Sequence, residues 1–219
     1  MPSLRLMSLF LLAFCAGPVH AEWRSLPYAD LAKMPLMLKK VDPEGIYRAY
    51  YQAKPAKGQA TLPADLKMQV STGGQVVPVP IQTDGRVDLP IRQDWSDAGA
   101  QVQVNQPKGT ISVSFIMNSR TPPGTRMTYG QLTESVPVLE RGIKEMAGML
   151  SLFAPKVKQV VLKFEKGTPQ TATLALPDGK KKAWKTNVEG QIQLPWEPDW
   201  SPGIVVLSAP LKGIDQVMK

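Results

Sequence analysis

The chain has 219 residues, 21 of them proline, with a formal net charge of +8 and a single cysteine and histidine. Cys15 and His20 both lie in the first 21 residues. A chain without that segment has no thiol or imidazole, which excludes Ser-His-Asp and Cys-His catalysis, an imidazole general base, disulfides and nearly all zinc sites.

The leader MPSLRLMSLFLLAFCAGPVHA has one arginine, an apolar run from Leu6 to Ala16 and a small-x-small ending at Val19-His20-Ala21. This is the pattern of a secretory signal peptide cleaved after Ala21. Phe14 is bulky where lipoprotein processing needs a small residue before Cys15, and the run falls short of the ~20 residues that span a bilayer. A cysteine-free exported chain points to the bacterial periplasm, with release from the cell as the alternative. No later run reaches spanning length, so the mature chain is expected to be soluble and to carry no transmembrane segment. The positive charge favours anionic lipid, polysaccharide or nucleic acid without choosing among them, and it also serves solubility.

A first helix is expected near Ala29 to Lys40, shortened or kinked by Pro35 and ended by the turn Asp42-Pro-Glu-Gly45. Period-two segments follow at Ile46–Tyr51, Leu66–Val70, Val76–Ile81, Val102–Val104 and Ile111–Phe115, separated by turns such as Thr72-Gly-Gly74 and Asp84-Gly85. Arg120-Thr-Pro-Pro-Gly-Thr125 is the natural boundary. Beyond it, Leu132, Val136, Leu139, Ile143, Met146, Leu150 and Phe153 draw one apolar stripe of a second helix. Thr128 and Gln131 fit a capping box at its start, while Pro137 argues for a regular helix from Ser135. Strands follow at Val160–Phe164, Thr173–Leu176, Ile192–Leu194 and Ile204–Leu207, with turns at Pro177-Asp-Gly179 and Glu189-Gly190.

Two stretches of this series match. GRVDLPIRQDWS (Gly85–Ser96) and GQIQLPWEPDWS (Gly190–Ser201) are identical at six of twelve positions without a gap. Upstream, Tyr28-Ala-Asp-Leu31 resembles Tyr129-Gly-Gln-Leu132. The expectation is an α+β protein of two tandem homologous modules, residues 22–120 and 121–219, each a helix followed by a small antiparallel β-sheet meander. In each repeat, Leu-Pro stops a strand, and Trp95 or Trp200 either folds back as a plug or stands out as a stacking platform. Trp196, where the first repeat has Ile91, is the better platform.

Asp84, Asp88, Asp94 and Asp97 lie close in sequence, and Glu197 and Asp199 stand in the second repeat. Two convergent acids among them would support hydrolysis of a glycosidic bond, although Asp is also the ordinary turn residue. No Gly-rich phosphate loop, EF-hand or aspartic-protease element occurs, so neither metal nor cofactor is expected. Lys180, Lys181, Lys182, Trp184 and Lys185, with Trp196, are the candidate binding residues: clustered lysines around an indole suit an anionic surface or charged glycan. The competing reading is lysines guarding an exposed edge strand.

The signal peptide, the helix opened by Tyr-x-x-Leu and the repeated Gly-x-x-x-Leu-Pro-x-x-x-Asp-Trp-Ser block resemble secreted proteobacterial proteins classed as a domain of unknown function. The resemblance implies no activity or site. The function expected is non-catalytic binding of an envelope protein or anionic polymer, with a carboxylate-dependent glycan hydrolase as the alternative.

Overall fold

The computed structural model describes residues 23–148 and 155–218. Up to Ser119 the elements are β1 (Arg24–Pro27), α1 (Tyr28–Val41), β2 (Tyr47–Pro55), β3 (Met68–Thr72), β4 (Gln75–Val79), β5 (Arg86–Val87), α2 (Gln93–Asp97), β6 (Gln101–Val104) and β7 (Ile111–Ser119). From Arg126 they are β8 (Arg126–Thr128), α3 (Tyr129–Leu132), α4 (Ser135–Ala147), β9 (Val157–Lys163), β10 (Thr171–Ala175), β11 (Lys181–Lys185), β12 (Gln191–Pro195), a 3-10 turn at Pro198–Trp200, β13 (Ile204–Leu207) and β14 (Gly213–Met218). The protein is α+β, richer in strand than in helix, and every strand pair among the described residues is antiparallel.

Among the described residues four sheets form, with orders β1-β6-β3-β4, β5-β2-β7, β8-β13-β10-β11 and β12-β9-β14. Adding seven to each strand of the first half gives the strand order of the second. Each half buries its own core: Tyr28, Val70, Val102 and Val104 in the first, and Tyr129, Leu162, Leu174, Ile192 and Leu194 in the second. A third cluster of Val41, Ile46, Tyr47 and Val138 joins them where α1 meets α4. Across that seam the Tyr47 hydroxyl donates to the Ser135 carbonyl at 3.0 Å, and the Arg141 guanidinium donates to the Val41 carbonyl.

The expected helix-then-meander module is corrected on two points. A strand, β1 or β8, precedes each helix, and only β3–β4 and β10–β11 pair as chain neighbours, the other pairings joining strands that are not consecutive. Short edge strands without clear alternation carry too little pattern to be read, as with Arg126–Thr128. The last strand, β14, likewise carries no clear alternation, because Gly213–Met218 mixes Asp and Gln into its sequence.

Nor is α1 short: it runs 14 residues through Pro35. Proline has no amide hydrogen, so the Leu31 carbonyl one turn back loses its helical donor. The Tyr51 hydroxyl, reaching across from β2, donates to that carbonyl instead. The helix ends at Asp42, whose buried carboxylate accepts the amides of Ile46 and Tyr47 at 2.9 and 2.7 Å. In the second half both expectations for the helix start hold. Thr128 and Gln131 form a reciprocal capping box on the single turn α3, and α4 begins at Ser135 with Pro137 in its first turn, where the missing amide costs nothing. Leu150 and Phe153 of the expected stripe lie outside the described residues.

Candidate functional site

The repeated stretches build two matching corners. Gly85 and Gly190 both have positive φ (83° and 75°), and the carbonyl of each accepts an amide from the adjoining strand, Ala53 at 2.8 Å and Phe164 at 2.9 Å. A Cβ at Gly85 would lie 2.5 Å from the Ala53 carbonyl oxygen, so the turn requires glycine. Val87 and Leu89, like Ile192 and Leu194, are buried. The Pro90 carbonyl accepts the Tyr28 hydroxyl at 2.7 Å, and that hydroxyl accepts the Arg92 amide at 2.8 Å. Tyr129 repeats both bonds, donating to Pro195 at 2.5 Å and accepting from Glu197 at 3.2 Å. Burial raises the pKa of both hydroxyls, which keeps them protonated and able to donate.

Each corner tryptophan stands edge-on to its tyrosine, Trp95 at 5.7 Å from Tyr28 and Trp200 at 5.8 Å from Tyr129. Each is half-buried, and a cation covers its face: Arg92 lies 5.1 Å from the Trp95 centroid and Lys182 lies 4.7 Å from that of Trp200. An indole held this way plugs the corner and has little free face for a ligand.

The lysine segment is β11, the edge of its sheet. Lys182 and Trp184 pair with buried Leu174 and Ala172 and so face the core side, where Trp184 packs 6.4 Å from Trp200. Lys181 and Lys185 alternate to the opposite face. Lys180 is held by Asp178 at 2.8 Å, and this contact keeps the aspartate below its ordinary pKa. Trp196 also stacks on Tyr129, at 6.2 Å and 11° between planes. Of the six candidate residues, Lys182, Trp184 and Trp196 therefore join one aromatic group through Trp200 and Tyr129, Lys181 and Lys185 lie on the opposite face, and Lys180 is paired with Asp178.

The acids do not converge either. Asp94 and Asp97 sit on α2 in the first half, whereas Glu197 and Asp199 flank the corner of the second. Hydrogen bonds from Arg92 at 3.0 and 2.6 Å hold Asp94 below its ordinary pKa, the wrong direction for a general acid. Among the described residues, no three His, Cys, Asp or Glu group together to hold a metal, and no helix is long and apolar enough to cross a membrane.

The concave feature that gathers charge lies between the halves. A groove of about 850 Å³ runs where the outer face of β5-β2-β7 meets β9 and β14. Its lining brings together Arg48, Arg86, Arg120, Lys163 and Lys212 against two carboxylates, Asp84 and Asp215. Arg86 lies over the Tyr50 ring at 5.6 Å. Partners orient most of the cations: Glu134 takes both arms of Arg120 at 3.0 Å, Glu165 holds Lys212 at 2.6 Å, and Asp215 holds Lys163. Arg48 has no ion pair among the described residues and is exposed. These cations are spread over more than 160 positions of sequence and show no run or motif. Only the outward alternation of Arg48 between buried Tyr47 and Tyr51 neighbours could have hinted at them.

A family model described as "Protein of unknown function (DUF2987)" matches residues 28–164. The chain belongs to that family. The DUF2987 match opens on the corner tyrosine Tyr28 and closes on Phe164, taking in the whole first corner, α4 and β9. No curated protein and no solved structure matches this DUF2987 chain.

Proposed function

We propose that this protein is a non-catalytic binding protein of the bacterial periplasm, released from its leader after Ala21, which holds an anionic envelope component in the groove between its halves. The observation that carries this reading is the convergence of five cationic side chains from both halves on one concavity, four of them oriented by carboxylates and Arg48 without an ion pair among the described residues. Cations already fixed by neighbouring carboxylates lose little freedom when a ligand arrives, and a concave wall focuses their field. The groove supports the reading better than β11, whose lysines diverge to two faces. We infer as well that the halves are tandem homologous modules. The shared strand order, the paired tyrosine–proline bonds and the glycine turns at equivalent positions support a duplication in which the junction became the binding surface.

The test is binding of a labelled oligogalacturonate, followed by fluorescence anisotropy at two salt concentrations. Arg48→Glu with Arg86→Glu should weaken binding at least about tenfold and flatten the salt dependence. Lys181→Glu with Lys185→Glu should change it less than about twofold. The reverse ranking would return the site to the lysine strand, and failure of the wild-type chain to bind any polyanion, this glycan or an acidic peptide, would sink the groove.

A further inference from the structure

The two halves differ at one ladder. In the second, β9 pairs with β12 over five residues, from Lys163–Gln191 to Gln159–Pro195. In the first, β2 pairs with β5 only at Gln52–Arg86 and Tyr51–Val87. Beyond Val87 the chain leaves β2, and the Asp88 amide donates to the Pro80 carbonyl at 2.9 Å. Continued register would set Leu89 opposite Ala49, as Leu194 stands opposite Val160.

That missing stretch leaves part of β2 open. On this edge the Ala53 amide donates to Gly85. Antiparallel ladders turn the amide and carbonyl of every second residue to the same side, so those of Ala49 point into the opening and not toward β7. Ala49 is exposed. The opening is a cleft of about 360 Å³ with Leu38, Leu89 and Phe115 among its walls. It shares Ala49, Tyr50 and Arg86 with the basic groove, so an apolar slot, a free strand edge and a cationic surface are continuous.

We propose that an extended, acidic polypeptide segment of a partner protein docks here, adding as a strand to β2 at Ala49, with one apolar side chain in the cleft and carboxylates in the groove. The proposal rests on the groove reading and names the class of its ligand. A strand edge offers a donor and an acceptor at the spacing of a peptide backbone, and alternation sends successive side chains to different environments. An acidic glycan would satisfy the cations but has no apolar side chain for the slot between Leu38, Leu89 and Phe115.

The probe is the heptapeptide Glu-Val-Glu-Val-Glu-Val-Glu, titrated into the folded chain beside its D-enantiomer and an oligogalacturonate of similar charge. The L-peptide should bind at least about tenfold tighter than the D-peptide and slow amide exchange at Ala49, read by NMR. Leu38→Trp, which narrows the slot from a wall outside the groove, should erase the preference while leaving oligogalacturonate binding in place. Should that variant not fold, exchange at Ala49 in the wild-type chain decides. Equal affinity for the two enantiomers, or unchanged exchange at Ala49, overturns strand addition. Oligogalacturonate bound without the L-peptide also overturns it and leaves the groove standing as a polysaccharide site. Failure of every anion to bind refutes both readings.

Discussion

Replacing Tyr51 by phenylalanine tests whether a side chain from the sheet completes α1. The change removes one oxygen and keeps the ring against Phe115, whose centroid is 5.3 Å away. Its cost therefore comes from the Leu31 carbonyl, which Pro35 has already deprived of its helical donor. A net hydrogen bond is worth about 1 kcal/mol, and a buried acceptor left unpaired costs about 1–3 kcal/mol. Tyr51 is only 6% exposed, so water reaches the gap poorly and a loss of about 2 kcal/mol is expected. For a chain of this length that lowers the melting temperature by roughly 4–8 °C. Urea melts of a double-mutant cycle isolate the effect. Pro35→Ala restores an amide one turn after Leu31, so in that background Tyr51→Phe should cost less by about 1 kcal/mol. Equal costs in both backgrounds would refute the idea that the hydroxyl stands in for the missing helix bond.

Other outcomes follow from the corners and the buried hydroxyls. Trp95→Ala and Trp200→Ala should each destabilise by about 2–4 kcal/mol, below the full cost of a completely buried aromatic because both indoles are half-buried; denaturant midpoints within about 0.5 kcal/mol of wild type would return them to the platform reading. Gly85→Ala should destabilise more than Gly190→Ala, since an added Cβ lies 2.5 Å from a carbonyl oxygen at the first and 3.3 Å at the second; equal midpoints would contradict the turn geometry. Burial pushes Tyr47 and Tyr51 up to about 12, so both stay protonated in the folded chain while they ionise near 10 in the unfolded one. The stability this gives is fully present below pH 10 and is lost as pH rises toward 12. Absorbance at 295 nm should accordingly show a late ionisation step that coincides with loss of near-UV circular dichroism. Intact mass of the exported protein should begin at Glu22, and millimolar chelator should leave its melting curve unchanged; a lipidated Cys15 or a chelator-induced shift would overturn these two expectations.

Local signals served the reading of the sequence well where a residue type has one dominant backbone role. Gly85, Gly190, the Asp42–Gly45 turn and the Thr128–Gln131 box announced themselves, because positive φ, helix stops and capping each demand few residue types. The alternating segments gave most strands within a few residues. Pro35 misled, because the donor that replaces its amide comes from Tyr51, twenty positions from the carbonyl it serves. The lysine run shows another limit of sequence proximity: consecutive residues on a strand point apart, so Lys181 and Lys182 do not share a face. The groove was illegible because its cations meet only after two sheets from different halves are set side by side, and no spacing rule links Arg48 to Lys212.

The corner tyrosines also bear on the order in which the chain can fold. Tyr28 closes onto Pro90, 62 positions on, and Tyr129 onto Pro195, 66 positions on, so neither closure borrows a residue from the other half. A chain delivered N-terminus first can complete the first closure before the second half arrives, and the slow long-range step is divided into two shorter ones. The seam at Tyr47 and Ser135 then assembles last from two finished surfaces. A chain delivered only as far as Arg120 would have its first corner shut, with Tyr47 and Val41 bare and open to the wrong neighbour until α4 arrives.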